Sequence, residues 1–190
     1  MPRVTKEAAE AHKRDLIEAA GRLFRERGLD GVGVAEISRA AGLTHGAIYS
    51  GFASKSELAV AALQAGRDAS RRRAAKMVGA APDVKAILAQ YISKRQRDNR
   101  TECCPLVASA SEAARQDANY RRSFEDLFLE LAATVQAAME RQGRPEARRR
   151  ALAVTAGMVG AVAMARALHG RVSDELLSAA RTSLAELAED

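Results

Sequence analysis

From Lys6 to Arg27 the apolar residues Leu16, Ile17, Ala20, Leu23 and Phe24 recur at spacings of one, three and four, which places them on one face of a helix. Gly28 follows the last periodic position, where a left-handed C-cap is expected, and Leu29-Asp30-Gly31 continues as a turn. The next stretch, VAEISRAAGLTHGAIYSGF over residues 34–52, reads as two short helices around a tight turn at Gly42. Ile37 and Ala41 face inward from the first, Leu43 plugs the corner, and Ile48 closes the core from the second, while Gly42 supplies a turn backbone that other residues adopt only with strain. Thr44 is placed to cap the second helix. Ser54 and Glu57 have capping-box spacing and start a helix reaching about Met77, with Leu58, Ala61, Ala62 and Ala65 inside.

Beyond Pro82, helical patterns cover residues 83–98, 105–116, 119–142, 146–169 and 173–188, with interruptions at 99–102, Asp117, 142–145 and Gly170. The pattern predicts an all-α chain. A three-helix helix-turn-helix domain occupies residues 1–53, and a connecting helix joins it to a larger helical domain within 54–190. The most apolar stretch, 151–168, is rich in small residues and bounded by arginines, so it reads as buried and not membrane-spanning. The first sixteen residues show no signal-type apolar region, and a cytoplasmic setting is expected.

Composition agrees: 47% hydrophobic residues over 190 suffice for a core, while aromatics at 4% and four prolines favour helix packing over sheet. The net charge of +6 is concentrated at one end, because residues 1–76 hold 14 Lys+Arg against 9 Asp+Glu. That asymmetry suits a polyanionic partner for the N-terminal domain. Neighbouring Cys103 and Cys104 are the only cysteines, which excludes a disulfide framework of the secreted kind. No paired carboxylates, metal-spaced His/Cys set or phosphate-binding glycine loop is present, and His12, His45 and His169 are scattered. Neither an enzyme, a metal site nor a cofactor is expected.

A helix-turn-helix binds double-stranded DNA by seating its second helix in the major groove while flanking helix ends hold phosphates. Thr44, His45, Gly46, Ala47, Tyr49 and Ser50 lie outside the core positions of that helix and are the candidates to face DNA. Gly46 and Ala47 permit close approach. Thr44 and Tyr49 offer hydroxyls to phosphate, and Lys55 adds a charge at the start of the next helix. Direct base reading would fall to His45, Ala47 and Ser50. Taken singly, each residue has an ordinary surface or core reading as well.

The segments LIEAAGRLFRERG and VAEISRAAGLTHGAIYSGFASKSEL resemble the DNA-binding domain of the TetR family of transcriptional regulators, with Phe24, Gly28, Ile37, Ala41, Gly42, Ile48, Tyr49, Phe52 and Lys55 at the matching places. Three departures stand out. Gly33 occupies a place where Ser or Thr would both cap the first motif helix and touch a phosphate, Ser38 stands where alanine is common, and Gly51 replaces a larger residue.

The resemblance implies a ligand-binding and dimerisation role for the C-terminal domain, hence a homodimer, a small-molecule effector and a palindromic operator, most simply for a repressor. Gly157, Gly160, Ala161, Ala163 and Ala165, with Leu176, Leu177, Leu184 and Leu187, suit a helical dimer interface; a monomer core is the alternative. The helix over 55–77 is the expected lever between effector and DNA. Tyr91, Leu106, Phe124, Leu127, Phe128 and Met158 are candidates for an apolar pocket, or for core. Cys103-Cys104-Pro105-Leu106 stands at a helix start that can lower a thiol pKa, so electrophile or oxidant sensing is weighed against inert packing. The competing functional reading is a helical small-molecule or redox module that has lost DNA binding, for which Gly33 is the main support.

Overall fold

The first helix, α1 (Lys6–Arg27), is capped by Thr5, whose hydroxyl oxygen accepts the Ala8 N–H at 3.2 Å, and it ends at Gly28 with φ 79°. The computed structural model describes residues 5–44 and 46–189. Within them follow α2 (Val34–Ala40), α3 (Ala47–Gly51), α4 (Lys55–Val78), α5 (Val84–Tyr91), α6 (Lys94–Asp98), α7 (Pro105–Ala113), α8 (Ala118–Arg141), α9 (Ala147–Ala167) and α10 (Gly170–Glu189). The described residues contain no strand.

Leu16, Ala20, Leu23 and Phe24 of α1 are buried with Leu29, Val32, Ile37, Ile48 and Phe52, so the N-terminal helices share one core. Each such aliphatic side chain contributes about 1.5–3 kcal/mol by leaving water. Helix α4 packs against both α1 and α8, from Ser56 beside Asp117 to Arg67 paired with Glu130, which makes it a physical link between the N-terminal and C-terminal helices. Its buried face is Leu58, Ala59, Ala62, Leu63 and Gly66, and Ala65, expected inside, is exposed. An alanine-rich helix gives little contrast between faces, and the inner face is rotated from the expected one.

The single helix expected over 83–98 is two. Ile92 is fully buried at the break, and the Ser93 hydroxyl oxygen accepts the Gln96 N–H at 3.2 Å while its proton goes to the Gln90 carbonyl at 3.0 Å. Ser93 and Gln96 therefore form a start signal inside an apparently continuous period. Helix α7 stops at Ala113, three residues earlier than expected, and 114–116 turn toward α8.

Helix α9 lies between α8 and α10 and buries Ala151, Val154, Met158, Val162 and Ala165. The expectation that 151–168 is buried holds for one side only, since Ala156, Gly160, Met164 and Ala167 are exposed. A Cβ at Gly157 would stand 2.7 Å from Leu184 Cδ2, so α9 and α10 meet at glycine distance. Leu177 is buried beneath α10, whereas Val172 and Leu187 are exposed on it.

Candidate DNA interface

The turn between α2 and α3 is closed by backbone: Leu43 N–H donates to the Ser38 carbonyl at 2.9 Å and Gly42 N–H to that of Arg39 at 3.1 Å. Gly42 holds φ 69°, the left-handed region where a side chain brings strain. Ile37 and Ile48 are fully buried and Leu43 half-buried, which fixes α3 against α2 and α1. Ser38 is also buried, at 1% exposure, and its hydroxyl has no hydrogen-bond partner.

Helix α3 begins at Ala47, not at Thr44. Gly46 is its N-cap without a side-chain bond, and Thr44 contributes its carbonyl, which accepts the Ala47 N–H at 3.0 Å. The exposed Thr44 hydroxyl thus lies one turn ahead of the helix, outside the capping role expected for it. Gly46 and Ser50 are exposed, Ala47 is half-buried, and Tyr49 presents 59% of its surface. The Ser50 hydroxyl donates to the Ala47 carbonyl at 2.7 Å, which leaves its lone pairs as acceptors. His45 lies outside the described residues.

Lys55 is the first residue of α4. The expected Ser54 cap is present beside it, with the return bond shifted by one residue: Ser54 Oγ accepts the Glu57 N–H at 3.1 Å, and Glu57 Oε2 accepts the N–H of Ala53, before the N-cap, at 2.7 Å. One cation escaped the sequence reading. Lys13 Nζ stands 5.2 Å from the centroid of the Phe52 ring, which brings a charge from α1 to the corner between α3 and α4. Nothing local in the sequence signals this, because it depends on how α1 packs on α3.

Gly33 is the exposed N-cap of α2, with φ −88° and ψ 152° and no side-chain cap. Its carbonyl accepts from Glu36 and Ile37 N–H at 3.1 and 3.2 Å, and a Cβ there would meet nothing within 4 Å. The site therefore has the geometry and the room for Ser or Thr. Glu36 pairs with Arg27, tying α2 back to α1.

The C-terminal candidates fall differently. Leu106 and Met158 are fully buried, Leu127 is 6% exposed, and Phe124 and Phe128 pack half-buried against the core. Cys103 and Cys104 are 1% and 4% exposed. The Tyr91 phenol lies beside the Cys104 thiol with no well-formed hydrogen bond; burial pushes Tyr91 well above the ordinary phenol range. Burial likewise raises Cys104, and this outweighs the lowering by the Tyr91 hydroxyl and the Leu106 and Val107 amides at the start of α7. The expected lowering of a thiol pKa at this helix start is thus reversed at Cys104. Cys103 donates its thiol proton to the Arg100 carbonyl at 3.3 Å.

Two open polar grooves mark the surface. One of about 450 Å³ is lined by Arg97, Arg100, Arg166, His169 and Asp174, and one of about 500 Å³ by Ser56, Glu57, Asp117, Arg122 and Asp126. Neither is lined by the apolar residues expected to form a pocket.

Residues 16–62 match the family model for bacterial regulatory proteins of the tetR family, and residues 80–182 match that of the LmrA/YxaF-like transcriptional regulator C-terminal domain. The HTH-type transcriptional regulator TtgR of Pseudomonas putida is 46% identical over 63 residues, which are 33% of this chain and 30% of that protein. The match thus spans less than a third of that curated relative. A TetR transcriptional regulator from Chloroflexus aurantiacus has a crystal structure with TM-score 0.78 and 28% identity, covering 95% of both chains. A TetR-family regulator from Cytophaga hutchinsonii shares the fold with TM-score 0.78 at 23% identity, over 94% of this chain and 95% of its own.

Proposed function

Because this chain belongs to the TetR family of transcriptional regulators, we propose that it is a homodimeric repressor that leaves a palindromic operator when a small molecule binds its C-terminal domain. The observation that carries this reading is the outer surface of α3. Thr44, Gly46, Tyr49 and Ser50 are exposed there, over a core closed by Ile37 and Ile48, and Lys55 and Lys13 flank them. Small residues permit close approach to base edges, hydroxyls reach phosphate oxygens, and the two lysines supply the charge that displaces counterions. Gly33 is the main support for a module without DNA binding, and its N-cap backbone leaves room for contact.

Dimerisation is supported by the exposed side of α9, where Ala156, Gly160, Met164 and Ala167 form an apolar stripe, and by exposed Val172 and Leu187 on α10. A two-fold pair of such chains sets its recognition helices about 34–36 Å apart, one turn of DNA. The effector is read as a reversibly bound small molecule and not an electrophile, since Cys103 and Cys104 are both buried. The protein works in the cytoplasm and carries out no catalysis.

Selection from randomised duplexes tests the reading. A palindromic consensus whose affinity falls steeply with salt is expected. No enrichment at moderate salt overturns it.

A further inference from the structure

The last turn of α1 is held from outside the helix-turn-helix. After Gly28 turns the chain, the Leu29 N–H donates to Glu112 Oε2 of α7 at 3.0 Å, across 83 positions of sequence. A Cβ on residue 28 would stand 2.3 Å from Glu112 Oε1, so the carboxylate approaches the backbone as closely as glycine permits. One turn earlier, Arg25 Nε donates to the Thr101 carbonyl at 2.5 Å, in the segment leading into α7. Its guanidinium lies over Gly21 and Gly66, where a Cβ would come within 3.0 and 3.1 Å of Nη1. Pro105, the first residue of α7, closes on Gly66 of α4 in the same way, at 2.7 Å from a Cβ.

Three glycines therefore let α7 and its leading segment bear directly on α1 and α4. The corner they hold is the one from which α2 departs. Leu29 and Val32 are buried in the helix-turn-helix core with Ile37, and Arg27 pairs with Glu36 of α2. This corner connects α7 to α2 and α3 by a route that does not pass through α4.

We infer that Glu112 is a positioning residue for DNA binding: by accepting the Leu29 N–H it fixes the angle of the α2–α3 unit to the rest of the subunit, and so the separation of the two recognition helices. The inference rests on the dimeric operator-binding reading above. Leu29 is the one amide in this corner whose acceptor is a side chain of the C-terminal domain, so loss of Glu112 loosens the corner after Gly28 while the Arg25–Thr101 bond, the Pro105 contact and the apolar core stay in place.

The test uses the full chain and a duplex selected by the wild type, with versions lengthened or shortened at the centre by one base pair. The wild type discriminates sharply between these spacings. Glu112→Ala keeps the half-site sequence preference, lowers the thermal midpoint by a few degrees because the buried Leu29 N–H loses its acceptor, and loses about fivefold or more of the discrimination. Glu112→Gln, whose amide oxygen still accepts, restores it. Exchange of the Leu29 amide, read without DNA, is slow in the wild type and Glu112→Gln and fast in Glu112→Ala. If Glu112→Ala fails to fold, Glu112→Asp, which draws the acceptor back by one methylene, is held to the same criteria. Unchanged spacing discrimination in the folded variant, or fast Leu29 exchange in the wild type, overturns the inference. A wild type that selects no palindrome overturns the DNA-binding reading and this role with it, and the DNA-free exchange measurement separates that failure from the first.

Discussion

Gly33→Ser restores a hydroxyl at the start of α2, and its effect is worked from geometry. The backbone there, φ −88° and ψ 152°, suits any L-residue, and a Cβ meets nothing within 4 Å. Replacing glycine at such a compatible position stabilises by about 0.4–1 kcal/mol through the unfolded chain. A serine cap adds a few tenths more over glycine. The sum, about 1 kcal/mol, raises the melting midpoint by about 2–4 °C for a chain of this size. Gly33→Ala gains the same entropy but gives up the advantage of glycine over alanine at an N-cap, so its midpoint stays near that of the wild type and it is the control. On DNA the hydroxyl donates to a phosphate oxygen once per subunit, about 1 kcal/mol each, so the dimer gains roughly 30-fold in affinity. Calorimetry and anisotropy titration on the selected duplex read the two effects separately. The contact carries no charge, so the slope of affinity against salt is unchanged. Equal DNA affinity of the serine and alanine variants refutes the placement of Gly33 at the phosphates, and a serine variant no more stable than the alanine one refutes the N-cap energetics.

Tyr49→Phe and Lys55→Ala weaken binding on all sequences alike, and Lys55→Ala also lowers the log–log salt slope by about 1 per subunit, which titrations at several salt concentrations resolve. Ser38→Ala removes a buried hydroxyl that has no protein hydrogen-bond partner and raises stability by about 1 kcal/mol, measured by urea unfolding. Tyr91→Phe does the same in the C-terminal core and also flattens the alkaline limb. The folded protein holds the Tyr91 and Cys104 protons to higher pH than the unfolded chain does, so wild-type stability falls as pH rises through the ordinary thiol and phenol ranges. Neither cysteine is alkylated in the native protein at pH 8, and both react on unfolding, as mass spectrometry of iodoacetamide-treated samples should report.

Where the sequence signal is local, the structure follows it. The limits of α1 and the Ser54 cap with Glu57 three residues on rest on signals within one helical turn, and the buried Ile37 and Ile48 on the two short helices around Gly42. The failures have equally physical sources. Alanine offers no contrast between the faces of α4, so Ala65 was placed inside; a serine cap interrupts the apolar period at Ile92; and desolvation of Cys104 outweighs the helix start that sequence alone reveals. Lys13 beside Phe52 and Glu112 on Leu29 join elements distant along the chain, and no local pattern encodes either. The candidate interface was thus legible as a motif, and its supports from α1 and α7 were not.

Tyr91, Leu106 and Met158 fill the C-terminal core tightly, and the Tyr91 hydroxyl waits there without a well-formed bond. An effector that reaches this hydroxyl enters only after the helices part. Its association then has a ceiling: the observed rate rises with effector concentration at first and levels off at the rate of helix opening. Such a switch responds on a clock set by the protein's own breathing, and raising the dose beyond that point makes the response more complete but no faster.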